Sequence, residues 1–186
     1  MTVVNPNPEQ YLCFEDNFLS VEEIKTLIDL GESQSNYRQA DVRQADGTYK
    51  MIPEYRTNLR GSIDDPALAI AMLEKTKPFL PSRIREFNLV RFHPVFKFYK
   101  YNKGDYFNWH SDASVKEGFE RSLVTFMIYL TSVGLTEFEN VSAVEGKAGR
   151  LVVFNHKVKH RSPPLESDDT KIVIRTDVMY KPIYGV

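Results

Sequence analysis

The chain has 186 residues, and its 24 basic and 25 acidic residues give a formal net charge of −1 at pH 7. This length suits one domain, which we expect to span residues 1–186. The balanced charge provides no overall basic field for nucleic acid or an anionic membrane, so we expect neither as a partner, although balance alone does not exclude one.

The cysteine content, the N-terminal segment and the lengths of the apolar runs predict the cellular compartment. Cys13 is the only cysteine, so no intrachain disulfide can form and the sequence suits a reducing environment. The opening MTVVNPNPEQ lacks the basic and apolar regions of a signal peptide, and no apolar run approaches the roughly 20 residues that span a bilayer. We therefore expect a cytoplasmic location.

The first predicted helix is marked by its start. Ser20 and Glu23 have capping-box spacing ahead of apolar residues at helical intervals, which predicts a helix at about 21–33. The polar residues 34–51 follow and predict an exposed loop or a weak hairpin turning at Asp46-Gly47. Such a segment could cover a site.

A second helix and then a series of strands are predicted downstream. Asp65 followed by Pro66 marks the helix start, and Pro78 ends it. After Pro81, four segments rich in β-branched and aromatic residues alternate with turn residues: LVRFHPVFKFYKY, SLVTFMIYLT, RLVVFNHKVKH and KIVIRTDVMY. We expect an α+β fold, with helical N-terminal support at about 1–80 packed outside a jelly-roll (double-stranded β-helix) core at about 85–182.

The strand region holds a possible metal pair. His110 and Asp112 are two residues apart, and in a strand such residues point to the same face. The pair could bind a metal or be neighbours by chance, because a lone His-x-Asp is common. His93, before Pro94, has no carboxylate suitably placed in the sequence, and we interpret it as structural.

A third ligand is available in the next strand segment. GRLVVFNHKVKH contains His156 and His160, and a jelly roll can bring distant strands side by side. Two histidines and one carboxylate form the facial triad of non-haem Fe(II) oxygenases. The absence of thiolate ligands argues against a cysteine-based structural zinc site, whereas a His-His-Asp zinc or manganese site stays open.

The last strand segment alternates between charged and apolar residues. Lys171, Arg175 and Asp177 share one side, and the strand starts eleven residues after His160. A plain edge strand with its charged side in water is one interpretation. The other is that the cationic side faces the metal cavity, where it could pair with a dicarboxylate.

Taken in order, these segments resemble a known family. FKFYKYNKGDYFNWHSD, RSLVTFMIYLTSVGLTEF, GRLVVFNHKVKH and TKIVIRTDVMY resemble successive strand blocks of the 2-oxoglutarate- and Fe(II)-dependent dioxygenases, specifically the prolyl 4-hydroxylase-like branch. The resemblance is close over about 90–181. It is looser over EYRTNLRGSIDDPALAIAML, which is similar to the family's Arg-x-Asn segment and following helix. The gap from His160 to Lys171 is one residue longer than is usual in the family.

The resemblance implies roles for particular residues. It makes His110, Asp112 and His160 the iron ligands, with His160 preferred over His156. Lys171 takes the position that binds the far carboxylate of 2-oxoglutarate, with Arg175 as alternative or helper. Two further side chains could hydrogen-bond the co-substrate or be core aromatics: Tyr101 and Tyr129.

The resemblance also implies a reaction. Hydroxylation of an aliphatic C–H, in a prolyl residue of a peptide or protein or in a proline-like small molecule, would consume O2 and convert 2-oxoglutarate to succinate and CO2. A requirement for ascorbate stays open. Asp112 favours hydroxylation over halogenation, because halogenating relatives carry a small residue there. Residues expected at the substrate, with solvated surface as the alternative for each arginine, are Arg56, Asn58, Trp109, Arg121 and the 34–58 loop.

Two alternatives remain. A nucleic-acid demethylating oxygenase has a similar His-x-Asp block, but this chain lacks that group's Arg-x5-Arg pair after the distal histidine. A non-catalytic jelly-roll ligand-binding module is disfavoured by the complete set of His110, Asp112 and His160. The oligomeric state, the pathway and the choice of substrate are not determined by these patterns.

Overall fold

The structure, a computed structural model, describes residues 1–44 and 46–183, without the side chain of Arg43. Helix α1 spans Val21–Gln34, and its capping box is formed, because the Ser20 hydroxyl accepts from the Glu23 amide and the Glu23 carboxylate accepts from the Ser20 amide. Helix α2 spans Pro66–Thr76 and is followed by the 3-10 turn Lys77–Phe79.

The remaining elements are strands. Along the described chain they are β1 Thr2–Asn5, β2 Leu12–Glu15, β3 Arg38–Gln39, β4 Val42–Arg43, β5 Tyr49–Lys50, β6 Leu59–Asp64, β7 Arg83–Ile84, β8 Phe87–Phe92, β9 Val95–Tyr101, β10 Phe107–His110, β11 Lys116–Glu117, β12 Glu120–Tyr129, β13 Leu135–Phe138, β14 Val144–Glu145, β15 Leu151–Asn155, β16 His160–Ser162 and β17 Lys171–Pro182.

These strands form two antiparallel sheets and a separate hairpin. The large sheet has the order β1-β2-β15-β12-β17-β9-β6-β3, with β8 also on β17, β7 on β8 and β11 on β12. The small sheet has the order β10-β16-β13-β14, and β4 pairs with β5. With the helices outside the large sheet, this is the α+β, jelly-roll arrangement that the strand-rich segments predicted.

Side-chain alternation in the large sheet creates two apolar cores. One face packs against the helices through residues that include Phe96, Phe98, Phe126, Ile174 and Met72. The other face packs against the small sheet through residues that include Tyr99, Tyr101, Tyr129, Phe138 and Phe154. Because both faces of the central strands are covered, these strands carry apolar residues on both sides. The site described below lies in the core between the two sheets.

Strand β17 is central and buried, so the interpretation as a plain edge strand is wrong. One of its edges pairs with β12, and the other pairs with β9 along 171–175 and with β8 along 178–182. Ile172 and Ile174 face the helices, whereas Lys171 and Arg175 face the space between the sheets. The cationic side of this strand therefore faces inward.

Helix α1 approaches the large sheet at Gly31. A Cβ built on Gly31 would lie 2.7 Å from Cδ1 of Phe98, so only glycine allows this close approach. The polar segment that follows contains the β4–β5 hairpin, in which Asp46 accepts from the Thr48 amide; Ala45, in the predicted turn, lies outside the described residues. No helix within the described ranges is long and apolar enough to cross a bilayer.

Candidate functional site

Strand β10 is held in place from two sides. On one side it meets residues 53–57, where the Thr57 amide donates to Tyr106 O at 3.1 Å and the Asn108 amide donates to Tyr55 O at 2.9 Å. On the other side it pairs with β16, and the register sets His110 opposite His160. The pairing of these two strands therefore brings together two histidines that are 50 positions apart in the sequence.

Both histidines present the same ring nitrogen to a common space. Nδ1 of His110 donates to Asn108 O at 2.8 Å, and Nδ1 of His160 donates to Val158 O at 3.1 Å. Since a carbonyl oxygen can only accept, each Nδ1 carries the hydrogen and each Nε2 keeps its lone pair. These Nε2 atoms lie 3.9 and 4.0 Å from the two carboxylate oxygens of Asp112. The three ligand atoms lie within 4.8 Å of one another, and the donor set fits Fe(II).

Asp112 is positioned by hydrogen bonds rather than by strand geometry. His110 and Asp112 converge as expected, but strand β10 ends at His110, so strand alternation is not the cause. Instead the Asp112 amide donates to His156 O at 3.1 Å, the Thr125 hydroxyl donates to Oδ2 at 2.5 Å, and Arg175 Nη1 donates to Oδ1 at 2.6 Å. A carboxylate with two side-chain donors is fixed in orientation.

The protonation state of the cluster suits a divalent metal. Burial, with the nearby His160, lowers the pKa of His110 to about 3, and burial lowers the pKa of His160. Burial raises the pKa of Asp112, but the Arg175 guanidinium outweighs it and holds that pKa well below its usual range. Two neutral imidazoles and one carboxylate are the forms that bind metal without first losing a proton.

The other two histidines lie outside this cluster. His156 lies with Nε2 3.3 Å from Asp177 Oδ1, and it is not among the three residues that converge. His93 lies with Nε2 3.0 Å from Glu117 Oε1, so the expectation that no carboxylate assists it is wrong. Glu117 reaches His93 from β11, a contact that depends on strand pairing and not on sequence proximity.

Lys171 lines a cavity of about 30 Å³ that is also lined by His110 and His160. Its Nζ donates to Leu135 O at 2.6 Å and to Ser162 Oγ at 2.7 Å. Only 2% of the side chain is exposed, and burial lowers the pKa of Lys171 to about 7. The lining of the cavity thus includes both metal-binding donors and an ammonium group.

Tyr101 and Tyr129 surround this ammonium group. Lys171 Nζ lies 5.0 Å from the centroid of the Tyr101 ring and 5.5 Å from that of Tyr129. The Tyr129 hydroxyl donates to Val144 O at 3.1 Å and also contacts Thr136 Oγ1 at 2.6 Å. Tyr129 therefore presents its ring, while its hydroxyl is satisfied by the protein.

Arg175 is engaged by two carboxylates. Besides Asp112, its Nη2 donates to Asp177 Oδ1 at 3.2 Å, and Lys97 Nζ donates to the other oxygen of Asp177 at 3.1 Å. Burial opposes the charged form, but Asp112 raises the pKa of Arg175 and keeps the guanidinium charged. Arg175 thus differs from Lys171, which has no carboxylate partner in the described part of the chain.

A cleft of about 570 Å³ opens on the outer side of the metal-binding cluster. Arg56 lines it, and the buried Asn58 accepts from two nitrogens of Arg56. The other two residues expected at the substrate lie elsewhere: Trp109 is 42% exposed beneath the Arg161 guanidinium, and Arg121 stacks on Phe87 in a different cleft.

Sequence reasoning missed three residues of the site. Thr125 and Ser162 contact Asp112 and Lys171 respectively, and the Phe107 ring stacks on His110 with centroids 3.6 Å apart. Alternation along SLVTFMIYLT, which sets Thr125 on the same face as Tyr129, was the available signal for Thr125. Ser162 and Phe107 follow only from the pairing of β10 with β16.

The chain is similar to one protein family and to several solved structures. Residues 96–176 match the family model described as the 2OG-Fe(II) oxygenase superfamily. No curated protein matches the chain.

The similar structures include three prolyl hydroxylases. The viral collagen prolyl hydroxylase of Paramecium bursaria Chlorella virus-1, in complex with 2-oxoglutarate, is 20% identical with a TM-score of 0.65, covering 95% of this chain and 99% of that one. A Pseudomonas putida prolyl-4-hydroxylase is 18% identical with a TM-score of 0.67, covering 92% of each chain. The Trichoplax adhaerens prolyl hydroxylase bound to a hypoxia inducible factor peptide fragment is 18% identical with a TM-score of 0.67, covering 94% and 84%. At these identities the likeness shows a shared fold.

Proposed function

We propose that this chain, which has the fold of the prolyl hydroxylases, is a 2-oxoglutarate- and Fe(II)-dependent dioxygenase that hydroxylates an aliphatic C–H of a prolyl residue or a proline-like small molecule. The observation that carries the proposal is the convergence of His110, Asp112 and His160, two of which line the same cavity as Lys171. This arrangement has a place for a metal and a cation for a dicarboxylate.

His110, Asp112 and His160 are the residues that would hold the iron. Their imidazoles cannot rotate freely, because each Nδ1–H is tied to a backbone carbonyl, and Thr125 and Arg175 fix the carboxylate. Iron with 2-oxoglutarate and O2 supplies the oxidising chemistry, which yields succinate, CO2 and a hydroxylated substrate. The protein's contribution is to hold three ligands on one side and leave the other open.

Lys171 is the residue that we propose binds the far carboxylate of 2-oxoglutarate. Its Nζ already lies between Leu135 O and Ser162 Oγ, and Ser162 can turn its hydroxyl hydrogen toward a carboxylate. Arg175 is less suited to this role, because its guanidinium is paired with Asp112 and Asp177. We assign Arg175 the positioning of Asp112.

The walls of the cavity keep water from the reacting atoms. Phe107, Phe154 and Met127 line it together with Tyr101, and each of these four side chains is largely buried. Exclusion of water strengthens the pairing of Lys171 with a carboxylate, since charges attract more strongly where the dielectric is low. Of these four residues, Phe107 also lines the open cleft where the substrate would enter.

The prolyl assignment is supported by the named relatives, which include a collagen prolyl hydroxylase and a prolyl hydroxylase bound to a peptide fragment. The test is succinate formation with Fe(II), 2-oxoglutarate and either free proline or proline-containing peptides. Parent protein should form succinate, with stimulation by at least one of these compounds. Succinate formation that none of them stimulates would remove the prolyl assignment while leaving the oxygenase.

Substitution of the proposed iron ligands tests whether the reaction takes place at this site. His110→Ala and Asp112→Ala should each reduce succinate formation by at least about 100-fold, because a lost ligand removes both metal affinity and geometry. His93→Ala is the matched control, since His93 is a histidine of the same chain that lies outside the cluster. Equal succinate formation in the parent and in the two ligand variants would sink the oxygenase assignment at this site.

A further inference from the structure

The open cleft beside the metal-binding cluster carries more positive than negative side chains. Its lining in the described residues includes two carboxylates, Asp41 and Asp112, and five cationic side chains: Arg38, Arg56, Arg60, Lys97 and Arg175. A cleft with an excess of one sign of charge concentrates ligands of the opposite sign. The question is which of these cations is available to a ligand.

All of these cations except Arg56 have a carboxylate of the protein within ion-pair distance. Arg60 pairs with Asp41, and Arg38 lies 3.9 Å from the same carboxylate. Lys97 and Arg175 share Asp177, and Arg175 also pairs with Asp112, as described above. Arg56 forms no ion pair with any residue in the described ranges.

Arg56 is nevertheless buried, with 4% of its surface exposed. Burying a guanidinium without an anion costs free energy, and an anionic partner from outside the chain would offset that cost. Its Nε and Nη2 both donate to Asn58 Oδ1, at 3.1 and 3.0 Å, which occupies one edge of the guanidinium. The edge formed by Nη1 and the second hydrogen of Nη2 has no hydrogen-bond partner among the described residues. Two parallel N–H groups on one edge match the two oxygens of a carboxylate.

Arg56 is also close to the metal-binding cluster. Its Cζ lies 3.8 Å from the centroid of the Phe107 ring, and the other face of that ring stacks on the His110 imidazole at 3.6 Å and 17°. The backbone bridge between Arg56 and Phe107 fixes this arrangement. The Arg56 guanidinium is therefore separated from the His110 ring by the thickness of one phenyl ring.

Tyr99 provides a second indication of the positive field. Its side chain lines both the cleft and the co-substrate cavity, and burial alone raises the pKa of its phenol. The positive charges of Arg175, Lys97, Arg56 and Arg60 outweigh burial, so the net pKa of Tyr99 is lowered. An anion that enters this part of the cleft meets the same field.

We propose that the substrate carries a carboxylate, which pairs with the free edge of Arg56 and so holds a neighbouring C–H toward the metal. This inference rests on the proposed hydroxylase function and narrows its substrate class. The carboxylate can come from a free amino acid, from the C-terminal residue of a peptide or from an acidic side chain next to the reacting residue. All three sources share the same pairing with Arg56.

Matched pairs of compounds distinguish these sources. The pairs are L-proline against L-prolinamide, Gly-Pro against Gly-Pro-amide, and acetyl-Ala-Pro-Asp-Ala-amide against its Asn analogue. In at least one pair, the carboxylate compound should give at least about tenfold higher kcat/KM in succinate formation, as expected for a charge-assisted hydrogen bond. A difference in kcat/KM below about twofold in all three pairs overturns the proposal. The absence of turnover with every compound overturns it as well.

Variants of Arg56 test whether this residue causes the preference. Arg56→Gln should abolish the preference for the carboxylate compound, mainly by raising its KM, and Arg56→Lys should restore it in part. Arg83→Gln is the matched control, because Arg83 is exposed on β7 and lies outside both clefts. Retention of the full preference in Arg56→Gln overturns the proposal. If both Arg56 variants fail to fold, the comparison of paired compounds with the parent protein still tests whether the substrate carries a carboxylate.

Binding of Mn(II) and 2-oxoglutarate, measured by calorimetry without O2, separates failure of this inference from failure of the hydroxylase function. A parent protein that binds neither refutes the function itself. A parent that binds both, and forms succinate as well with the uncharged compounds as with the carboxylate compounds, refutes only the proposal that the substrate carries a carboxylate. Stimulation by a single-stranded oligodeoxynucleotide and by no carboxylate compound also overturns the inference, and it would favour phosphate as the partner of Arg56.

Discussion

Lys171 and Arg175 lie on the same face of β17, yet their surroundings give them different properties. Lys171 is buried among tyrosine rings, a carbonyl oxygen and a hydroxyl, and no carboxylate in the described part of the chain pairs with its ammonium form. Arg175 has Asp112 and Asp177 as partners and stays charged. Of the two, Lys171 is therefore the cation that gains most from an incoming carboxylate.

The affinity for 2-oxoglutarate should depend on pH through Lys171. Burial lowers its pKa to about 7 in the ligand-free protein, whereas pairing with a carboxylate raises it in the complex. Binding therefore takes up a proton above pH 7, and the affinity should be constant below that pH and fall by up to about tenfold per pH unit above it. Calorimetry with Mn(II) between about pH 6 and 9 measures this; Lys171→Arg, always charged, should show a flat profile. A constant affinity in the parent across this range would contradict the role of Lys171.

Replacing each cation by methionine should produce different defects. Lys171→Met should raise the Kd for 2-oxoglutarate by about 100-fold and leave Mn(II) binding intact, since it removes one charge-assisted pair. Arg175→Met should lower the free energy of unfolding by about 3–5 kcal/mol, because Asp112 and Asp177 would stay buried without their shared cation. Urea unfolding and calorimetry distinguish the two. The assignment is wrong if Arg175→Met loses 2-oxoglutarate binding and keeps full stability.

At the scale of elements, the contact between α1 and the large sheet depends on a missing Cβ at Gly31. Gly31 lies against the Phe98 ring on β9. Strand β9 also carries Tyr99 and Tyr101 on its other face, next to the site. The position of α1 thus bears on the residues that line the cavity.

Gly31→Ala should destabilise the protein even though alanine favours helix formation. The added methyl would meet the Phe98 ring at 2.7 Å, and overpacking of this kind costs about 1–3 kcal/mol, more than the helix propensity returns. Ser33→Ala, on the exposed part of the same helix, is the control and should leave stability nearly unchanged. Denaturant unfolding measures both. A Gly31→Ala protein as stable as the parent would show that α1 can move away from β9.

Elements whose bounds are set by nearby residues could be predicted from the sequence, whereas features set by distant contacts could not. The capping residues Ser20 and Asp65 marked both helix starts, because a cap acts within three residues of itself. Strand alternation likewise placed Lys171 and Arg175 on one face. It did not account for Asp112, because the end of β10 at His110 is set by pairing with β16 and by residues 53–57. Contacts between distant segments cannot be predicted from local sequence patterns.

At the scale of the whole molecule, metal binding should stabilise the fold. Three ligands come from β10, the segment after it and β16, so an ion that binds them favours the folded chain over the unfolded one. Mn(II) at about 100 times its Kd should raise the free energy of unfolding by about 2.7 kcal/mol, and a chelator should reverse the change. Asp112→Ala should show no such gain in thermal unfolding scans. An equal gain in that variant would place the stabilising metal elsewhere.

The architecture was accessible from sequence, but the shape of the cleft was not. Four strand-rich segments after two capped helices led to the α+β jelly roll, because period-2 and period-3.6 patterns reflect which faces are buried. From sequence alone Arg56 and Trp109 were both expected at the substrate, with solvated surface as the alternative for Arg56. In the structure Arg56 lines the cleft and is bridged to Phe107, whereas Trp109 is 42% exposed and is not among the residues that line the cleft.

The central position of β17 has a consequence for synthesis of the protein on the ribosome. Its three partner strands, β8, β9 and β12, are all made before residues 171–182 emerge, and until then they leave unpaired edges. The nascent chain can form α1 and α2 early, but it cannot close the large sheet or acquire Lys171 before this strand is released. Assembly of the cavity that contains Lys171 is therefore a late event in folding, because it waits for a strand that follows all three of its partner strands in the chain.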